Sequence, residues 1–413
     1  MARFQNTFEF IGNLGFGKEV VKETVFESGW ARKQANIVIN ESSTNGAFVT
    51  LEGGYNKDNG KSNTIFTFSK NSFGEKGSKI EVAWADRKES FIRDTVADFK
   101  KVVVDLTVDP EAKDAYFKLR NEIYNLETKT ENVTSEDRLK VKELYKKVRE
   151  TVPHRYEFIH PLDAVEFFGT VAEKVKGKKF RVKGEVTISH WKEKFYVHYV
   201  PTLFELVPDE TENKLSAQLD LYFTKHAADK SMFEENKIIN YNMYIQSYDS
   251  GHKAEKFFPI RTVFNGNKYD TESSKYEARL RFVEKYTSVS GKYVHHIPFE
   301  VEVYRGAEEV QVSMDTLTPE QREFVEAGIA EVEDFQTKGS TFGASVNEIR
   351  LSLPLLKDFG EGNDFTRGVV ETTFTDEDLI YYPADTKGAK TNKPSSESEG
   401  KKSPEIDLDD LPF

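Results

Sequence analysis

Alternation is the feature that most limits what this chain can become. Short runs place β-branched or aromatic residues at every second position, between clusters of Gly, Asn and Ser: NTFEFIG, QANIVIN, GAFVTLEGG and NTIFTFS, then KIEVAWA and KKVVVDLTV. A period of two puts one set of side chains on a buried face and the other on a wet face, so these runs read as strands. The pattern returns at DAVEFFGTV and continues through KKFRVKGEVTISHW, KFYVHYVPTLFELV, KLSAQLDLYFT, IINYNMYIQSY, FFPIRTVF, YEARLRFVEKY and HHIPFEVEVY. NEIRLSLPLL and the run around LIYYP supply two more candidates. The chain is expected to be mainly β.

Two interruptions have a different period. DPEAKDAYFKLRNEIYNL has Pro110 at its first turn and Tyr116, Leu119 and Ile123 on one face. TSEDRLKVKELYKKVRETVP offers a capping box from Thr134 to Asp137, an apolar stripe through Leu144 and Val148, and a stop at Pro153. Together they predict a helical hairpin. A later acidic helix is signalled by Thr318, Pro319 and Gln321, with Phe324, Gly328, Val332 and Phe335 along one side and Gly339 at its end. From about Asp385 onward apolar residues nearly vanish, and a disordered tail is expected. An internal echo, Phe8-Glu9-Phe10-Ile11-Gly12 against Val165-Glu166-Phe167-Phe168-Gly169, suggests a duplicated β-unit.

Several kinds of chemistry are excluded or weakly supported. The 413 residues include no cysteine, which removes disulfides, thiolate metal sites and Cys catalysis, and fits a reducing cytoplasm. The first residues lack the apolar core of a signal peptide, and no stretch reaches the ~18 apolar residues of a membrane helix, so a soluble cytoplasmic protein is expected. GNLGFGKE resembles a phosphate loop up to its last position, where Glu19 stands in place of the hydroxyl that would hold Mg²⁺. A carboxylate there repels phosphate, and a Gly-rich turn between two strands is the expected structure. The eight His are scattered, and adjacent His295 and His296 would point to opposite faces of a strand. No nucleophile or metal motif is present, so a non-catalytic protein without cofactor is expected. An enzyme with an unrecognised site is one alternative.

Charge separates along the chain. Residues 1–310 carry 48 basic and 48 acidic side chains, whereas residues 311–413 carry 10 and 22. The net charge of −12 therefore belongs to the last quarter and says nothing about what the body binds. The body has its own positive cluster: residues 171–200 hold eight cations and three acids. Alternation in KKFRVKGEVTISHW puts Phe180, Val182, Val186 and Ile188 on one face and Lys179, Arg181, Lys183 and Trp191 on the other. GWARKQANIVI likewise sets Trp30, Arg32, Gln34 and Asn36 opposite Ala35, Ile37 and Ile39. Cations that hold phosphates, beside rings that stack on bases, suit single-stranded nucleic acid. The candidate contacts are Trp30, Arg32, Gln34, Lys178, Lys179, Arg181, Lys183, Trp191, Lys192 and Lys194.

The chain closes on PEIDLDDLPF, in which Pro412 can neither close a helix nor join a central strand. This stretch resembles the C-terminal tip of bacterial single-stranded DNA-binding proteins, where acids precede an aliphatic-Pro-Phe end after a flexible linker. The resemblance implies that Phe413 enters an apolar pocket on a replication or repair protein, alongside Leu411 and Pro412. Asp409 and Asp410 would meet a cationic rim. Phe8 to Gly12 also resembles the first strand of an oligonucleotide/oligosaccharide-binding (OB) barrel. Two OB-like barrels are thus expected at 1–106 and 160–306, with a helical hairpin at 107–155, a smaller α+β region at 311–384 and a tail at 385–413. The expected function is sequence-tolerant binding of single-stranded DNA in replication, repair or recombination, in a divergent or phage-encoded protein, with homo-oligomers allowed. The other alternative is an adaptor or decoy that uses the tip without touching DNA.

Overall fold

The computed structural model describes residues 6–57, 63–191, 194–269, 273–289, 291–309, 314, 317–332, 342–355 and 370–383. It is mainly β, with strands β1 (Thr7–Val25), β2 (Trp30–Asn40), β3 (Gly46–Asn56), β4 (Thr64–Phe68), β5 (Lys79–Ala83), β6 (Val102–Asp105), β7 (Arg155–Phe158), β8 (Lys179–Trp191) and β9 (Lys194–Leu206) in the first half. The second half holds β10 (Lys214–Phe223), β11 (Ala228–Asp229), β12 (Ile238–Asp249), β13 (Ala254–Asn265), β14 (Tyr293–Glu309), β15 (Phe342–Pro354) and β16 (Val370–Thr375). Seven helices are described: α1 (Ser90–Thr95), α2 (Pro110–Glu127), α3 (Ser135–Thr151), α4 (Pro161–Val175), α5 (Phe233–Asn236), α6 (Ser274–Thr287) and α7 (Pro319–Glu326).

In the second half five strands close into a barrel, in the order β10-β12-β13-β15-β14 and back to β10. Two seams are short: Tyr222 pairs with Tyr244, and Val263 pairs in parallel with Arg350. The helix α6 enters between the third and fourth strands, an arrangement consistent with an OB-like fold. Leu219, Leu221, Ile245, Phe258, Phe264 and Phe299 fill the interior.

The first half repeats the same order. β1, β2 and β3 form an antiparallel meander, α4 leads into β8, β8 pairs with β1, and β9 pairs with β8. β3 and β9 lie side by side, without ladder pairs between them in the described residues. Phe8, Phe10, Ile37, Ile39, Val49, Phe180, Val182 and Phe204 meet in the core, and α4 supplies Val165, Phe168 and Val171 to it. The segment between β3 and α4 is a large insertion. It carries the β4–β5 hairpin and the α2–α3 pair, whose own core is Tyr116, Ile123, Leu144, Tyr145 and Val148. β1 joins the halves by pairing with β10 from Thr7↔Gln218 to Ile11↔Lys214.

Several sequence expectations change here. DAVEFFGTV is helix α4, not a strand. Pro161 sits at its first turn and the His160 ring nitrogen accepts from the Leu162 N–H, while burial on nearly every side leaves no alternating wet face. The Val165–Gly169 echo of Phe8–Gly12 therefore joins a helix to a strand and marks no duplication. YEARLRFVEKY lies in α6, capped by the Ser273 side chain. GNLGFGKE is no turn between strands: it runs inside the single long β1, where pairing with β2 shifts between Phe16 and Val21. The strand expected around LIYYP lies earlier, at β16, and Asp376–Leu379 form a 3₁₀ turn. The acidic helix is shorter than its pattern, and Phe324 is exposed rather than packed. Phe335 and Gly339 lie outside the described residues, as does the tail expected at 385–413.

The remaining strand expectations and the capped helical hairpin match the observed elements, including the Thr134–Asp137 capping box.

Candidate nucleic-acid interface

On β2 the odd residues Ala31, Ala35, Ile37 and Ile39 are buried, which turns Trp30, Arg32, Gln34 and Asn36 outward. β3 continues this face. Phe48, Thr50, Glu52 and Gly54 stand opposite Val38, Asn36, Gln34 and Arg32. Gly54 has a steric role here: a Cβ would strike the Trp30 indole, so its absence lets the ring lie across the strand. Lys22 of β1 sits beside Gln34 on the same face.

The face crosses the open seam onto β9 and β8. Phe195, Val197 and Tyr199 pack toward the core, leaving Lys194, Tyr196 and His198 outward. β8 pairs Trp191 with Lys194, Ser189 with Tyr196 and Thr187 with His198. The Ser189 hydroxyl and His198 Nε2 are 2.7 Å apart. Burial pushes the His198 pKa below that of an ordinary histidine, against the pull of the nearby Glu52 carboxylate.

Four large rings are therefore exposed along β2, β3, β9 and β8: Trp30 at 43%, Phe48 at 48%, Tyr196 at 40% and Trp191 at 60%. At one end the face meets the closed barrel across a groove of about 370 Å³ lined by Phe48, Tyr196 and Tyr199 from the first half and Arg261 and Arg305 from the second. The Arg305 guanidinium lies 4.9 Å from the Phe48 ring centroid, and Arg261 hydrogen-bonds Asn240 at 2.8 Å. Among the described residues Lys22, Lys194 and Arg305 form no ion pair with a carboxylate, Arg261 is close enough to Asp229 to help lower its pKa, and Arg32 is 3.6 Å from Glu52. Cations outnumber acids on this face.

The cations at the foot of β8 serve another role. Arg181 is held by Glu9 at 3.2 Å and Glu205 at 2.8 Å, and Lys183 by Glu9 at 3.2 Å. Lys214 also binds Glu9. Burial alone would raise the Glu9 pKa, but hydrogen bonds from Lys214 and Lys183 hold it below the usual carboxylate range. Lys179 donates to the Asp209 and Thr211 carbonyls. Lys178, an exposed residue just before β8, lines a separate, largely apolar pocket with Lys113 and Lys179. The structure thus gathers Trp30, Arg32, Gln34, Trp191 and Lys194 on one face and sets Lys178, Lys179, Arg181 and Lys183 apart from it. Lys192 and the tip residues Asp409, Asp410, Leu411, Pro412 and Phe413 lie outside the described residues.

Phe48, Tyr196, Arg261 and Arg305 were not among the sequence candidates. The alternation in GAFVTLE and KFYVHYV marks the two rings as outward-facing. The two arginines come from distant strands and had no local signal.

The corresponding outer face of the closed barrel is covered. Tyr222, Tyr244 and Phe257 lie beneath Phe374 and Leu379 of the segment after β15, and the Tyr381 hydroxyl donates to Asp249 at 2.6 Å. Burial would raise the Asp249 carboxyl, but the Tyr381 and His252 hydrogen bonds bring it down to about 2.

Among the described residues no cluster of His, Asp and Glu could hold a metal ion. No protein-family model and no curated protein matches the chain. A solved structure of a deletion mutant of the single-stranded DNA-binding protein from Thermus aquaticus is similar over 73% of this chain and 89% of that one, at 9% identity and a TM-score of 0.27. A likeness at that score carries no weight for function.

Proposed function

We propose that this protein binds single-stranded DNA without sequence preference, in replication or recombination, through the outer face of β2, β3, β9 and β8. The observation that carries the reading is the set of four exposed rings beside Lys22, Lys194 and Arg305, which among the described residues form no ion pair with a carboxylate. Rings of this kind stack on any base, and unpaired cations beside them take up phosphates. Stacking is sequence-tolerant because every base has a π-face, which favours tolerance over specificity.

In this reading both halves are OB-type units fused through β1 and β10, and the open half carries the strand. The groove with Arg261 and Arg305 extends the path toward the closed barrel. The tip residues Asp409 to Phe413 recruit replication and repair proteins, and the acidic last quarter competes with DNA for the cationic face at low occupancy.

Intrinsic fluorescence tests the reading directly, because Trp30 and Trp191 stand on the proposed face. Titration with oligo-dT should quench the emission, and affinity should fall steeply as salt rises. A protein that shows no quenching at low salt is an adaptor rather than a DNA binder. Removal of residues 386–413 should tighten binding at low salt, and unchanged affinity would end the competition model.

A further inference from the structure

The insertion carries a second group of exposed rings that the barrel face does not use. On β4, Ile65 is buried against Val82, Val96 and Ile159, so Phe66 and Phe68 share the opposite face of a two-stranded hairpin. Phe99 follows Phe68 with ring centroids 6.4 Å apart. The Lys100 ammonium lies between them, 5.6 Å from the Phe68 centroid and 5.5 Å from that of Phe99. Phe66 and Phe99 are 76% and 69% exposed. Lys79 stands opposite Phe68 in the ladder, and neither Lys79 nor Lys100 has a carboxylate partner among the described residues. Among the described residues Glu81 stands opposite Phe66 on this face, and nearby Asp98 is held by Lys101 and Arg120.

We infer that Phe66, Phe68, Phe99 and Lys100 form a second stacking platform for the same single strand, an inference that rests on the DNA-binding reading above. Three rings in a row with lysines between and opposite them offer bases and phosphates alternate contacts, as the barrel face does. An apolar protein partner would instead want a patch without a charged ammonium group at its centre. The platform also lies on the chain's own path from the barrel face. β3 ends opposite Trp30 at Asn56, Asn63 then hydrogen-bonds Asn56 in both directions, and β4 begins one residue later. The Tyr55 and Trp84 rings stack at 5.9 Å, which ties the hairpin to that end of β3. Beyond Phe99 the surface becomes a groove of about 440 Å³ in which Lys183 and Lys214 are tied to Glu9 and Glu185 and Glu300 also stand, so among the described residues it offers no further exposed ring or uncommitted cation to extend the platform.

The test compares full-length wild type with the double variant Phe66→Ala/Phe99→Ala and with Lys100→Gln, all at exposed positions. Oligo-dT of ~8 nucleotides, within one OB-fold's site size, and of ~30 nucleotides are titrated against Trp emission. The double variant should bind the long oligonucleotide at least fivefold more weakly and the short one as wild type does. Lys100→Gln should lower the salt slope on the long oligonucleotide by roughly 0.7. Unchanged affinity for the long oligonucleotide, or equal weakening on both lengths, overturns the platform. A changed sedimentation coefficient with unchanged DNA binding overturns it in favour of a subunit interface. Wild type that quenches with neither length sinks the DNA-binding reading and the platform with it, whereas wild-type binding with an indifferent variant sinks the platform alone.

Discussion

Single side chains set the strength of the proposed interface. Trp191 and Tyr196 present rings on paired strands without filling the core, so their loss should weaken binding and leave the fold intact. Trp191→Ala is expected to reduce oligo-dT affinity by roughly 5- to 150-fold, the range of one stacked base, with an unchanged melting temperature. Gly54→Val should act on the same face indirectly, by displacing the Trp30 ring, and should appear as lower affinity with a shifted Trp emission maximum. His160 gives a residue-scale pH dependence. Burial pushes its pKa below the ordinary value, helped by Arg87 and opposed by Asp163, and its neutral ring accepts the Leu162 N–H at 3.2 Å. The unfolded state then binds the proton more readily, so stability is full above the unfolded pKa of about 6.5 and falls as pH drops through it. Thermal melts should therefore lose stability between pH 7 and 5. His160→Asn, which can cap without titrating, should lessen that loss. His198 acts in the same direction and leaves part of the slope in place.

At the scale of elements, alternation was a sound guide where one face of a strand is wet and the other packed. It foretold the parity of β2 and β8 because Ala35, Ile37, Val182 and Val186 go inward and polar residues outward. It failed for α4, whose Val165, Phe167, Phe168 and Val171 are all buried. A segment buried on all sides has no polar stripe, and an apolar run then reads equally well as a central strand. α6 failed differently: Tyr276, Val283 and Tyr286 have helical spacing, but the aromatic and β-branched content suggested a strand. The helical hairpin was legible from its ends. The Thr134 hydroxyl and Asp137 carboxylate satisfy the first turn of α3, and Thr134→Ala should cost about 1 kcal/mol of stability without altering DNA affinity. Chemical denaturation followed by circular dichroism would measure it.

Across the whole molecule, the two halves are held in register where the loop before β3 meets β14. Asn45 pairs with Gly306 and its side chain accepts from the Arg305 N–H at 2.8 Å. A Cβ on Gly306 would overlap the Thr44 carbonyl oxygen. Gly306→Ala should therefore push the halves apart and pull Arg305 from Phe48. The expected readout is weaker binding and a smaller salt slope, from one phosphate contact fewer, in a protein that still unfolds cooperatively.

The division of labour between sequence and tertiary structure is clearest at the interface. Alternation determined which side of β2 and β8 is wet, so Trp30, Arg32, Gln34 and Trp191 were legible as outward residues, and Lys194 was marked by the cluster of cations at 171–200. Charge counts alone placed the acidity in the last quarter. Which of those cations are free was settled only by packing, because Arg181 and Lys183 look equivalent to Lys194 until Glu9 and Glu205 are brought beside them. The order of strands around each unit was likewise a tertiary matter. Pairing β1 with β8 and β10 joins residues as far apart as Thr7 and Gln218, and no local pattern encodes a partner that distant. Local sequence fixes the orientation of a side chain on its own strand, whereas the charge it meets depends on the strand packed beside it.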